Sequence, residues 1–371
     1  MSGLVSNQGK SIKKILILSK YTRMGASSRL RILQFFPALE NSGFEIEVSA
    51  FFGEDYLSEL YHSASRSPLK LIRYYAKRLA VLLRARKYDV VWIEKELFPF
   101  LPAMFERGLK AIGVRYLVDY DDAVFHNYDL SSRPWVRRLL GSKIDGVMRA
   151  SSIVVAGNEY LADRARRAGA ARVEIIPTVV DHERYRVGHR HGVQQLVIGW
   201  IGSPSTQKYV VGIRDSLREA CNRYKARLVL VGATPDIVDE LPGIEVETLS
   251  WSEDSEAHLI ENMDIGVMPL IDGPWERGKC GYKLIQYMAC GVPVIASPVG
   301  VNVEIVAGNQ CGLLASEQAD WLAALCTLLT SPEERTRLGT SGRRAVEARY
   351  SLQAQAPILE KLFKSLTGAS S

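Results

Sequence analysis

Lys13 to Ser19 (KKILILS) is a short apolar run closed by small and polar residues, the pattern of a strand buried on both faces of a parallel sheet. Met24-Gly25-Ala26-Ser27-Ser28-Arg29-Leu30-Arg31 follows as a loop passing into a helix expected over Ile32 to Asn41, and Phe44 to Phe51 alternates like a second strand. Tyr88 to Ile93, Tyr116 to Val118, Ser152 to Val155 and Val173 to Pro177 continue the series, with helical stretches between them. Strands alternating with helices predict an α/β fold whose parallel sheet is covered on both faces.

Arg184 to Gln195 (RYRVGHRHGVQQ) interrupts this pattern with polar residues and glycine, and a second series begins after it: Val197 to Ile201, Arg227 to Val231, Ile244 to Thr248, Ile265 to Pro269 and Val292 to Ala296. The expected organisation is a first Rossmann-like domain over 1–183, a linker over 184–195 and a second Rossmann-like domain over 196–351. A terminal helix within 352–371 is expected to pack back on the first domain. Two doubly wound parallel sheets facing a central cleft bind ligands at the carboxyl ends of their strands.

Composition agrees with this organisation. The 371 residues exceed what one core usually supports, and 47% apolar with 24% charged residues is the balance of a globular protein. Met1 to Ser11 is polar, and no run of about 18 apolar residues occurs. A cytoplasmic protein is therefore expected, without a signal peptide or membrane span. Five scattered cysteines without a Cys-x-x-Cys pair argue for reduced thiols and against a structural zinc. The net charge of +6 divides unevenly: residues 1–190 hold 31 Lys and Arg against 20 Asp and Glu, and residues 191–371 hold 16 against 21.

The chemistry concentrates after the strand Ile265 to Leu270. Ile271-Asp272-Gly273-Pro274-Trp275 has turn chemistry, a helix is expected from about Gly281 to Ala289, and Gly291 with Pro293 stops it. At that helix start the N–H groups of about Cys280, Gly281 and Tyr282 lack intrahelical partners, and Gly281 allows an anion to approach. Lys279 and Lys283 add cations suited to a diphosphate, and Gln286, one turn on, can bond hydroxyls. The alternative is a structural strand-loop-helix-strand with surface lysines.

Gly278 to Gly291, continuing as Val-Pro-Val-Ile-Ala-Ser, resembles the signature of group 1 (family 4 type) retaining nucleotide-sugar glycosyltransferases, which have the two-Rossmann GT-B fold. Asp264 to Pro269, Ser297 to Val306, Asn309 to Leu314 and Ile175 to Asp181 resemble family segments too, and Ile201-Gly202 and Val231-Gly232 match strand ends that face the cleft. The resemblance implies a nucleoside-diphosphate sugar held by Gly202, Lys208, Lys279, Cys280, Gly281, Tyr282, Lys283 and Gln286. It implies no cofactor and no essential metal. Most members carry two glutamates eight positions apart, where this chain has Gly278 and Gln286. Glutamine still bonds ribose hydroxyls, without the strength of a charge-assisted bond.

On the first-domain side, Gly25, Ala26, Ser27, Arg29 and Arg31 are expected to face the diphosphate or the acceptor. A helix start with surface arginines is the plainer alternative. Asp119, Asp121, Asp122 and His126 cluster after a strand; Asp121, Asp122, His126 and Lys208 are the candidate catalytic residues. Glu94 and Glu96 are candidates for the acceptor or for helix capping. The remaining histidines (His62, His182, His189, His191, His258) read as surface or linker residues.

Arg66 to Lys87 has eight basic residues and no acidic one, with apolar residues at helical spacing. Such a helix suits an anionic membrane surface, or else turns a solvated basic side outward. Nucleic acid is not an expected partner, because the second half is acidic and no recognition motif is present. The implied activity is hexosyl transfer with retention to a saccharide or lipid-linked saccharide, in cell-envelope polysaccharide synthesis. The alternatives are a noncatalytic sugar-nucleotide-binding subunit and a GT-B-type sugar-nucleotide epimerase.

Overall fold

A computed structural model describes residues 12–53, 68–188 and 195–368. Half of the expected linker, with His189 and His191, lies outside the described residues, as do His62 and the first two residues of the basic stretch.

Two parallel sheets of six strands each form the framework. The first contains β1 (Lys13–Leu18), β2 (Phe44–Val48), β3 (Val90–Glu94), β4 (Tyr116–Tyr120), β5 (Ile153–Ala156) and β6 (Val173–Ile175), in the spatial order β2-β1-β3-β4-β5-β6. The second contains β7 (Val197–Ile201), β8 (Arg227–Val231), β9 (Val246–Leu249), β10 (Ile265–Met268), β11 (Val294–Ala296) and β12 (Gly312–Leu314), in the order β12-β11-β10-β7-β8-β9. In each sheet the order reverses once, between β1 and β3 and between β7 and β10. The crevices at such reversals are where doubly wound sheets take ligands. The connections after these four strands hold Ser27, Lys95, Gly202 and Gly281.

The central strands β3, β4, β5 and β7 are buried along their whole length, because helices cover both faces of each sheet. β2 is shorter than the alternation of Phe44 to Phe51 suggests. The helix expected over Ile32 to Asn41 is broken into a single 3-10 turn at Leu33–Phe35 and a helix at Phe36–Asn41. Pro37 lies in the first turn of the latter, where its missing N–H leaves no helical bond unmade.

The chain passes between the domains twice, and the two crossings are tied together. Val180 N–H donates to Tyr350 O at 3.1 Å, and Leu352 N–H donates to Val180 O at 2.8 Å. The second crossing leads into the Leu352–Thr367 helix, whose Leu359, Leu362, Phe363 and Leu366 join Ile15, Ile17 and Trp92 in one core of the first domain. The Phe363 ring lies 5.2 Å from that of Trp92 and 6.1 Å from that of Phe44. Phe363→Ala is expected to destabilise the protein by about 3–5 kcal/mol, read as a lowered midpoint of urea unfolding. An unchanged midpoint would show that the terminal helix contributes no core.

Candidate functional site

The second-domain wall of the site begins where β10 ends. The Tyr282–Ala289 helix buries Leu284, Ile285 and Met288 completely, and Tyr287 fixes it to the sheet: its Oη accepts from Ile201 N–H at 2.9 Å. Gly281 caps this helix at φ +64°, and a side chain there would strike Ile305. Glycine is required on both counts. The first closing bond is Leu284 N–H to Gly281 O at 2.9 Å, so the amides before it point out of the helix start.

Lys283 lies in that first turn. Its Nζ sits 4.6 Å from the Trp200 ring centroid and 3.4 Å from Thr206 Oγ1, beside Gly202. No carboxylate among the described residues pairs with it. Burial, and then the charge of Lys279, push its pKa down to about 7. The backbone packs tightly around it: a side chain at Gly202 would meet the Lys283 ammonium at 2.8 Å, and one at Gly232 would strike Gly202 O. Lys279, also half-buried, has no carboxylate partner among the described residues either. Lys208 stands on the other flank of the β10 loop, in a cavity of about 440 Å³ shared with Asp272, Glu317 and Trp321.

The first-domain wall is an ion network at the β1/β3 crevice. Lys95, held at φ +66° just after β3, is buried and bonds Asp121 at 2.8 Å, Ser27 Oγ at 3.2 Å and Asp122 more loosely at 3.7 Å. Burial raises the pKa of Asp121, but Lys95 and Arg31 outweigh it and hold the carboxyl below its ordinary range. Burial and Asp121 raise Asp122, against Lys95 and Lys279. Asp122 is the more open of the two, and its field reaches the second domain through Lys279.

The walls meet at Gly278-Lys279-Cys280. Asn158 Nδ2 donates to Gly278 O at 3.0 Å and to Lys279 O at 2.9 Å, and Cys280 Sγ lies 3.1 Å from Asp121 O. Cys280 enters the hydrophobic core of the first domain beside Gly157, where any side chain would collide with its sulfur. Burial pushes this thiol up to about 12. A side chain at Gly278 would come within 2.5 Å of Ala123 Cβ and 2.9 Å of Ala123 N. A glutamate therefore has no room at this position.

Several expected residues have other tasks. Arg31 is no surface cation: it forms a buried two-pronged pair with Asp119 at 2.8 and 3.0 Å and donates to Ile176 O at 2.7 Å. His126 has both ring nitrogens engaged, by Asp129 at 2.8 Å and Tyr160 Oη at 2.9 Å. Glu94 binds Ser28 Oγ and Lys20 N–H, shaping the loop after β1, and Glu96 pairs with buried Lys143. Gly25 makes that loop's turn against Tyr21, and Ala26 and Ser27 begin the helix after it. Arg29 reaches across to the second domain, 5.1 Å from the Trp251 ring and 3.7 Å from Glu253.

Gln286 is 3% exposed and donates to Tyr185 Oη at 3.2 Å, which in turn donates to Glu256 at 2.8 Å. The amide nitrogen of Gln286 is thus already engaged by Tyr185. Tyr282 is half-buried beside the same group. Sequence patterns did not single out Lys95 or Asn158. A lysine directly after the buried strand β3, and an asparagine at a helix start after β5, were the available signals.

Residues 195–331 match the family model described as glycosyl transferases group 1. A GDP-mannose-dependent alpha-(1-6)-phosphatidylinositol dimannoside mannosyltransferase of Mycobacterium tuberculosis is 25% identical over 206 residues, which are 52% of each chain. The chain thus spans about half the length of the curated relatives it matches. Among solved structures, sucrose-phosphate synthase from Thermosynechococcus elongatus superposes with a TM-score of 0.71 at 16% identity, covering 96% of this chain and 100% of that one. Anabaena HepE, solved with UDP-glucose, also gives 0.71, at 17% identity over 95% and 99%. The fold is the two-Rossmann GT-B arrangement, and the segment 195–331 is similar to group 1 glycosyltransferases.

Bound anions favour the protonated form of Lys283, so above about pH 7 binding must take up a proton. The affinity for inorganic pyrophosphate is expected to fall as the pH rises beyond that point, by at most about tenfold per pH unit. Lys283→Arg, which stays charged, should flatten the fall. An equally steep fall in the arginine variant would exclude Lys283 as the titrating group.

Proposed function

We propose that this chain is a retaining glycosyltransferase that moves a hexosyl group from a nucleoside-diphosphate sugar to a saccharide or lipid-linked saccharide, in cell-envelope polysaccharide synthesis. The observation that carries the proposal is the half-buried Lys283 ammonium, without a carboxylate partner among the described residues, at a helix start beside Gly202 and within the field of Lys279, which in turn senses Asp122 of the other domain.

In this mechanism the diphosphate lies against the first amides of the Tyr282–Ala289 helix, with Lys283 and Lys279 as counter-charges. The bond from the sugar's anomeric carbon to the phosphate oxygen breaks, and the pair of electrons leaves with the diphosphate. The acceptor oxygen bonds to the same face of the carbon, and its proton passes to a diphosphate oxygen. Ammonium groups fixed where negative charge accumulates lower the barrier, because they need no reorganisation as the bond breaks. Asp122, partly open and adjacent to Lys279, orients a hydroxyl of the sugar or acceptor. Asp121 is a positioning residue, since Lys95 holds it. The proposed chemistry uses no cofactor or metal.

The mannosyltransferase likeness and the UDP-glucose complex of the structural neighbour support a sugar-nucleotide donor. Among the described residues no helix is long and apolar enough to cross a membrane. The proposed location is the cytoplasmic face, with the Pro68–Leu82 helix against anionic lipid: Leu69 and Ile72 are exposed on it, and Lys70, Arg73 and Lys77 line a small cavity with Phe51 and Tyr74.

Buried Gln286 and the side-chain-free Gly278 favour one competing function, a subunit that binds the nucleotide sugar without turning it over. Thermal stabilisation by UDP, GDP and ADP sugars followed by transfer assays separates the two. The proposal expects stabilisation by one donor class and acceptor-dependent release of its nucleoside diphosphate. Binding without release over a panel of acceptors would assign the subunit, and no stabilisation by any donor would remove the donor site. Lys283→Ala should weaken nucleoside-diphosphate binding by about tenfold or more and leave binding of the free nucleoside unchanged. Equal losses for both ligands would contradict the phosphate role.

A further inference from the structure

The segment leaving the Asp121–Asp122 end of β4 runs through a short helix, Pro134–Leu140, that turns one face outward. Val136 and Leu140 are buried, whereas Trp135 and Leu139 are 56% and 69% exposed. Four residues apart, they lie on the same side of the helix. Leu130, 57% exposed, precedes this helix. Phe100, 61% exposed, rests on Tyr128 with its ring 5.7 Å away. Single exposed leucines need no explanation, but an outward tryptophan grouped with three other large apolar side chains does.

Arg133, Arg137 and Arg138 stand in the same stretch, exposed, and none pairs with a carboxylate among the described residues. No acidic residue occurs from Leu130 to Lys143. Other exposed arginines, such as Arg166 and Arg337, are matched with Asp or Glu. An apolar tip carrying tryptophan and ringed by unmatched arginines suits the boundary between lipid headgroups and acyl chains, where indole rings concentrate and cations meet anionic headgroups. A second copy of this chain fits poorly, because a two-fold contact through this face would bring the arginine groups together.

We propose that the Pro134–Leu140 helix, with Leu130 and Phe100, is a membrane-docking wedge that inserts Trp135 and Leu139 into an anionic bilayer surface. It is a second contact, separate from the Pro68–Leu82 helix. The two are joined through the loop after β3: Tyr75 of the longer helix stacks on Phe98 at 5.6 Å and bonds Pro99 O, and Phe100 N–H donates to Tyr128 Oη at 3.1 Å. Docking on both contacts sets the carboxyl ends of β3 and β4 beside the lipid. Only the consequence, that the acceptor is a lipid-linked saccharide drawn from that bilayer, rests on the glycosyltransferase proposal.

The test is co-sedimentation of the full chain with vesicles of phosphatidylcholine alone and with phosphatidylglycerol added, for wild type and for Trp135→Ser combined with Leu139→Ser. Both side chains are exposed, so the variant should fold, and its thermal midpoint is measured alongside. Wild type is expected to bind the anionic vesicles and not the neutral ones, with a partition coefficient about tenfold or more above that of the variant. Leu69→Ser with Ile72→Ser should weaken binding independently. Absence of wild-type binding, equal binding by the variant, or a wild-type dimer that the variant converts to monomer would each overturn the wedge. Donor-dependent stabilisation, measured without vesicles, should be the same in all variants, so failure of docking is distinguishable from failure of the transferase reading.

Discussion

The three residues Gly278, Lys279 and Cys280 belong by sequence to the second domain and by packing to the first. Asn158 holds the carbonyls of Gly278 and Lys279, and Cys280 occupies space that Gly157 leaves open. The helix that follows therefore starts from a point fixed on the opposite domain. Gly281 then makes a left-handed turn that directs the first amides and Lys283 towards Gly202. Moving the domains apart means extracting a buried thiol and exchanging two Asn158 hydrogen bonds for bonds to water, at about 0.5–1.5 kcal/mol for each. Domain closure and the geometry of the proposed donor site are thus a single structural variable.

This seat also bears on why positions 278 and 286 hold no carboxylate. Ala123 fills the space that a side chain at position 278 would need, and Tyr185 occupies the amide of Gln286. On the first domain Asp121 and Asp122 carry negative charge, tied by Lys95 to Ser27 in the first turn of the helix after β1. Positive charge comes from Lys283, whose weak local pairing leaves it available for an anion. A second set of cross-cleft contacts, in which Arg23, Arg29 and Arg184 surround Glu253, holds the far side of the interface.

The two parallel sheets were legible in the sequence because buried central strands are short continuous apolar runs. The stop of the Tyr282–Ala289 helix was legible because Gly291 and Pro293 permit little else. Side-chain assignments fared differently. Arg31 meets Asp119 and His126 meets Tyr160 through pairings that no local pattern encodes, so residues that looked available are consumed by the fold. Lys95 and Asn158 were overlooked for the complementary reason: each is an ordinary residue at the end of a strand until a partner distant in sequence arrives. The break of the helix around Pro37 was readable from the proline alone. Trp135 and Leu139 sit in a stretch too short to show periodicity, and their shared outward face appears only once Val136 and Leu140 are seen to be buried.

If closure and donor binding are one variable, a change in the first domain that touches no nucleotide must alter donor affinity. Asn158→Asp is the direct test. The carboxyl still accepts from Leu161 N–H and caps its helix, but it cannot donate to the carbonyls of both Gly278 and Lys279, and when ionised it donates to neither. Calorimetric titration with the stabilising nucleoside diphosphate should show affinity reduced by about tenfold or more while the thermal midpoint of the first domain holds. Wild-type affinity in this variant would contradict the account.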